Sequence, residues 1–123
     1  MSVSGWIGVD LDGTLAQYGG YQGAGHIGDP VLAMLVRVQS WLAQGVTVKI
    51  VTARVSASNS SEDIAKAREQ ISRWCLREIG HDLEVVCAKD FAMVELWDDR
   101  AVAVEKNTGR ILGGSSVFDG PKP

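Results

Sequence analysis

The chain has 123 residues, 46% of them hydrophobic, and a net charge of −3. That length is one domain, residues 1–123, with enough apolar content for a real core. The acidic balance excludes a strong sequence-independent grip on nucleic acid, though a local basic patch stays open. No apolar run is long enough to span a membrane and no leader-like segment is visible, so the cytoplasm is the expected compartment. Cys75 and Cys87 form no Cys-x-x-Cys pair, and buried reduced thiols are expected rather than a zinc site or a disulfide.

A first strand is predicted over about Trp6 to Asp10, followed by a loop rich in Gly and Tyr, Tyr18 to Gly28. Asp29 then reads as an N-cap, Pro30 as the first helical residue and Gly45 as the residue just past the helix end. Val31, Met34, Leu35, Val38, Trp41 and Leu42 recur at helical spacing and define a buried face. Val46 to Thr52 is β-branched and predicts a second strand. After a polar loop from Ser56 to Ser61, Ser60 with Asp63 marks a capped helix start. That helix runs to about Ile79 and ends at Gly80. Leu83 to Cys87 and Val94 to Trp97 are the third and fourth strands. Val102–Val104 and Arg110–Leu112, on either side of Asn107-Thr108-Gly109, predict a hairpin. The tail from Gly113 is rich in Gly, Ser and Pro and is expected to be frayed. Trp6, Trp41, Trp74 and Trp97 read as core.

Strand–helix–strand–helix–strand favours a parallel sheet with helices on both faces. Ligands of such sheets bind outside the carboxyl ends of the strands. Asp10, Thr52 and Asp98-Asp99 each stand at such an end. Asp10 and Asp12 are two carboxylates two residues apart, followed at once by Gly13. Their like charges repel, and each tends to raise the pKa of the other. At the end of a buried strand the pair makes sense beside a divalent cation, and Asp98-Asp99 asks for one again. Gly23-Ala24-Gly25-His26-Ile27-Gly28 fits a dinucleotide-binding pattern, but strand one ends well before it, and Asp29 stands where a pyrophosphate would bind. A flap beside the site, with Tyr18, Tyr21 or His26 in reach of substrate, fits that segment better.

Asp10-Leu11-Asp12-Gly13-Thr14 after an apolar strand resembles the first motif of the haloacid dehalogenase-like superfamily. Thr52-Ala53-Arg54 resembles its second motif, Lys89 its third and Asp98-Asp99 its fourth. With Arg100 the last becomes Asp-Asp-Arg, which is similar to the phosphatase domain of phage polynucleotide kinases. The resemblance spans residues 6 to 104. It implies a three-layer α/β/α Rossmann-like core with a mostly parallel sheet and a Mg²⁺-dependent phosphomonoester hydrolase. Asp10 is then the nucleophile that forms an aspartyl-phosphate, and Asp12 the general acid and base. Mg²⁺ takes oxygens from Asp10, the backbone carbonyl of Asp12 and the Asp98-Asp99 pair, with Asp99 the direct ligand and Asp98 behind it. Thr52 and Lys89 hold the phosphoryl group, and Arg54 and Arg100 contact substrate. Thr14 tightens the turn after Asp12.

Family members that act on small molecules usually carry a cap inserted after the first or the third strand. Neither Leu15–Gly28 nor Ala88–Phe91 has room for one, so an open site is expected. That suits a phosphate on the end of a larger molecule, and the Asp-Asp-Arg resemblance points to a nucleic-acid end. The alternatives are a small-molecule or nucleotide phosphatase whose site is covered by oligomerisation, and a binding domain that keeps the fold without turnover.

Overall fold

The computed structural model describes residues 4–119. β1 (Trp6–Asp10) leads through a long loop to α1 (Leu32–Ala43), β2 (Thr47–Val51), a 3₁₀ turn (Ala53–Val55), α2 (Ser61–Glu78), β3 (Glu84–Val86) and β4 (Met93–Trp97). The four strands form one sheet in the order β3-β2-β1-β4, and every neighbouring pair is parallel. β5 (Ala103–Val104) and β6 (Ile111–Gly113) make a separate antiparallel hairpin, where it was expected. It turns through Asn107, in the left-handed region at φ 68°. Residues 117–119 form a further 3₁₀ turn, and residues 120–123 of the expected tail lie outside the described residues.

Local chemistry sets the helix limits. The Ser60 hydroxyl accepts from the Asp63 N–H at 3.1 Å and caps α2, with Glu62 and Asp63 in its first turn. Gly80, at φ 90°, ends α2, and Gly45, at φ 82°, ends α1. The start of α1 differs from expectation. Val31, not Asp29, precedes the helix, and no side chain caps it. Residues 29–31 are instead claimed by the chain after β1. Gln17 N–H donates to Asp29 O at 2.8 Å, and Val31 N–H to Leu15 O at 2.7 Å. A backbone held extended by those bonds cannot also form the first helical turn.

Ile7, Val9, Val48, Ile50 and Val85 point to one face of the sheet, matched by the registers Ile7↔Val48, Val9↔Ile50 and Ile50↔Val85. They share one core with Met34 and Val38 of α1 and with Ala67, Ile71, Trp74 and Cys75 of α2. Both helices therefore cover the same face. This follows from the strand order: β1 to β2 and β2 to β3 step in the same direction, and crossovers of one hand then fall on one side. The expected second helical layer is absent among the described residues. Residues 87–92 make the whole return from β3 to β4, too short a stretch for a helix.

That return covers the second face only in part. Trp6 lies there, buried under it, with its indole N–H donating to Asp90 at 2.9 Å. The Lys49 ammonium sits 4.6 Å from the Trp6 ring and pairs with Glu84 at 2.7 Å. Gly8 makes room for this packing, because a Cβ there would come within 2.9 Å of Val51 and 3.1 Å of both Met93 and the Trp6 ring. On the helical face Trp97 is half-buried against Trp41, with ring centroids 5.2 Å apart, beneath the Arg37 guanidinium. Val94 and Leu96 of the β4 edge stay exposed.

The two faces predict unequal costs. Ile50→Ala empties the fully buried core and should lower stability by about 2–5 kcal/mol, whereas Val94→Ala should change it by less than about 0.5 kcal/mol. Urea unfolding monitored by tryptophan fluorescence reads both. Equal losses would contradict a core on one face only.

Candidate active site

The site forms at the carboxyl edge of the sheet. The β1–β4 register pairs Val9 with Trp97 and so carries Asp98 beside Asp10. Asp10, Asp98 and Asp99 each present an oxygen within 4.8 Å of the other two. Asp12 comes one turn later. Leu11 between the aspartates is fully buried, which fixes both carboxylates on the opposite side of the chain.

Thr14 ties the two acidic segments together. Its hydroxyl accepts from the Asp99 N–H at 2.9 Å and lies 3.1 Å from Asp99 Oδ1 and 3.3 Å from Asp10 Oδ2. Thr14 thus bridges β1 to β4 as well as shaping its own turn. Gly13 has φ 92°, and a Cβ there would meet the Asp99 carboxylate at 2.7 Å. The conformation favours glycine, and a Cβ there would have to displace that carboxylate.

Burial first, and then the Asp98 and Asp99 carboxylates, push the Asp10 carboxyl up from its ordinary 3.8 to about 7. A cation bound beside these carboxylates would favour the charged form of Asp10. All donors of the cluster are carboxylate oxygens, which suits a hard divalent cation such as Mg²⁺. Asp10, Asp98 and Asp99 could hold it. Asp98 lines the cleft directly, while Asp99 is gripped by Thr14.

Thr52 directly follows β2 in a buried position and caps the 3₁₀ turn, its Oγ1 accepting from Arg54 N–H at 3.2 Å. Thr52 also borders the cleft. The turn aims Arg54 at Asp12. Nε and Nη2 donate to the two carboxylate oxygens, both at 2.8 Å, in a bidentate pair whose arginine side chain is 9% exposed. Arg54 Nη1 also reaches the Ala24 carbonyl at 3.4 Å. Asn59, which no sequence motif singles out, braces the turn by donating to the carbonyls of Ala53, Arg54 and Ser56. Its one legible signal is a polar loop directly after Thr-x-Arg.

These groups line a cleft of about 540 Å³. Of the residues expected at the site, Asp10, Asp12, Thr52, Arg54, Asp98 and Arg100 border it, and Asp99 adjoins it through its cluster with Asp10 and Asp98. Lys89 does not border it. Lys89 lies in the β3–β4 return and lines a separate shallow cavity with Asp90, Phe91 and Met93. Once past Cys87 the return moves away along the second face, so position 89 has already left the cleft. Cys87 itself is exposed on the cleft wall, contrary to the expectation of a buried thiol. Cys75 is buried, and burial pushes its thiol up to about 11. Compared with known proteins, the chain matches no family model, no curated protein and no solved structure.

The raised Asp10 carboxyl makes stability depend on pH. Its folded value lies above its unfolded one, so it contributes stability fully below about pH 4, and that contribution is lost as pH rises to about 7. Without metal, the thermal midpoint should fall across that window. Asp10→Asn should flatten the fall and stabilise the protein at pH 8, by about 1–2 kcal/mol after allowance for solvent screening. Mg²⁺ should raise the wild-type midpoint at pH 8 by mass action, and raise that of Asp10→Asn less. Thermal melts across pH, with and without Mg²⁺, check all three.

Gly13→Ala should displace Asp99. We expect a lowered thermal midpoint and a smaller Mg²⁺-induced rise than in wild type, both read from the same melts. An unchanged midpoint and Mg²⁺ response would refute the close packing of Gly13 on Asp99.

Proposed function

We propose that the protein is a Mg²⁺-dependent phosphomonoester hydrolase, a minimal capless relative of the haloacid dehalogenase-like phosphatases working in the cytoplasm. The observation that carries this reading is the convergence at one sheet edge of Asp10, Asp12, Thr52, Arg54 and Asp98-Asp99, delivered by three different strands. Structural needs do not explain such a set. The carboxylates repel one another, and a binding surface without chemistry has no use for that cost.

In this mechanism Mg²⁺ offsets the negative charge of the phosphoryl group and of the carboxylates around it. Asp10, freed of its proton, attacks phosphorus as a carboxylate, and the bond to the ester oxygen breaks. Asp12 gives a proton to the leaving alkoxide. Thr52 and the N–H groups of the turn after it donate to the phosphoryl oxygens. The incoming phosphoryl group competes with Asp12 for Arg54, which loosens the bidentate pair and leaves Asp12 able to carry the proton. In the second half Asp12 takes a proton from water, the water oxygen attacks the aspartyl-phosphate, and the bond to Asp10 breaks. Inorganic phosphate and an alcohol leave, and both carboxyl groups are restored. Arg54, together with Arg100 on the rim, supplies the positive charge that the family resemblance assigns to Lys89.

Asp10→Asn should abolish turnover, since the amide is nearly isosteric but cannot form the acyl phosphate. Asp12→Asn should lower it by at least about 100-fold through loss of the acid and base. Lys89→Ala should leave kcat within about twofold. Chelation should stop activity and Mg²⁺ should restore it. Steady-state hydrolysis of an aryl phosphate measures each, and full activity in excess chelator would sink the metal assignment. No turnover of any ester with Mg²⁺ would leave the binding-domain reading.

Among the described residues neither interval that could hold a cap contains one. The open cleft favours a phosphate at the end of a larger molecule such as a nucleic-acid strand. The specificity constant on a phosphorylated oligonucleotide should then exceed that on the matching mononucleotide. The reverse order would favour the small-substrate reading, with the cleft covered by a second copy.

A further inference from the structure

The loop from Tyr18 to Gly28 is anchored at its base and at its middle. Gln17 N–H donates to Asp29 O at 2.8 Å, and the Trp74 indole N–H holds the Gly28 carbonyl at 2.9 Å. Gly28 packs so closely on the Gln17 carbonyl that any side chain there would collide with it. Farther out, Arg54 Nη1 holds the Ala24 carbonyl at 3.4 Å. A segment whose ends meet at one point forms an Ω-loop, a type that is frequently functional. Between these anchors stand Tyr18 and Tyr21, 44% and 66% exposed. Neither belongs to the core, and both border the same cleft as Asp10 and Asp12.

A single exposed aromatic needs no explanation. Two on one anchored loop, both on the wall of a cleft, give apolar faces that water solvates poorly and that a planar ring would cover. The rest of that wall narrows the kind of ring. Asn59 has spent its amide N–H groups on backbone carbonyls, so its oxygen remains as an acceptor. The Asp63 carboxylate, on the same wall, is a second acceptor. A ring bearing an exocyclic amino group can donate to such acceptors, as adenine and cytosine do, whereas a plain aryl ring offers them nothing.

We propose that Tyr18 and Tyr21 form a stacking platform for a nucleobase, so that the phosphate presented to Asp10 belongs to a nucleotide unit. The inference rests on the phosphatase reading for its reaction, but not for its binding. Arg54 links the two halves of the site, since one guanidinium holds both the platform loop and Asp12.

The test compares an adenine-bearing phosphorylated dinucleotide with its counterpart that is abasic at the phosphorylated residue. Base–aromatic stacking predicts a wild-type preference for the base of about tenfold or more in kcat/KM. In Tyr18→Leu/Tyr21→Leu the preference should fall to about twofold or less, with the change in KM. Tyr18→Phe/Tyr21→Phe should keep it. In parallel, NMR of the nucleotide bound to Asp10→Asn with Mg²⁺ should show upfield ring-current shifts of the base protons, lost when both tyrosines are leucine. A preference and a shift that survive the leucine substitutions overturn the platform. If no ester is hydrolysed but the shift appears and depends on the tyrosines, the platform stands and the hydrolase reading falls.

Discussion

The parallel register between β1 and β4 is the constraint on which the site depends. With Val9 opposite Trp97, the next residues on the two strands are carboxylates forced side by side. Packing fixes that register. Val9 is buried in the core, and Trp97 packs against Trp41 and Arg37 of α1. A slip of one residue would turn Trp97 to the second face and put Asp98 into the core. The hydrophobic side of the sheet thus forces two negative charges together on its other side. Thr14 and the raised Asp10 carboxyl are the molecule's response to that crowding.

Arg54 is the second organising element. Its guanidinium has donors in a fixed fork, which lets one side chain hold Asp12 with two of them and Ala24 with a third. Lysine could not do this, because its ammonium is a point charge without the planar match to a carboxylate. Arg54, from the segment after β2, thus borders the cleft, while the segment after β3 runs quickly to β4.

Much of this was legible in the sequence because the signals were local. Strand ends, the Ser60 cap, Gly45 and Gly80, the hairpin, and the gathering of Asp10, Thr52 and Asp98 at one edge all come from neighbouring residues and alternation. The features that were not legible depended on distant pairing. Asp29 looks like a cap until Gln17 takes its carbonyl. The number of layers depends on the direction in which successive strands are added, which composition does not encode. Lys89 has the right residue type near the right strand, but the path of the return removes it from the cleft. Cys87 lies just past the end of β3, where the chain has left the core that buries Val85. The clamp of Thr14 on Asp99 spans 85 residues and leaves no trace in the local pattern.

That separation bears on how the chain folds. β1 lies inside the sheet, yet its β4 partner is the last of the four strands in the sequence. β1, α1 and β2 can assemble early around contacts close in sequence, whereas the β1–β4 pairing closes the longest loop in the sheet and carries the largest entropic cost. The carboxylates on β1 and beyond β4 meet only when that loop closes. An intermediate lacking β4 would keep Asp10 near water, without Asp98 and Asp99 beside it. In a pathway where β4 docks last, the repulsion would arise only at that step, against a core already formed.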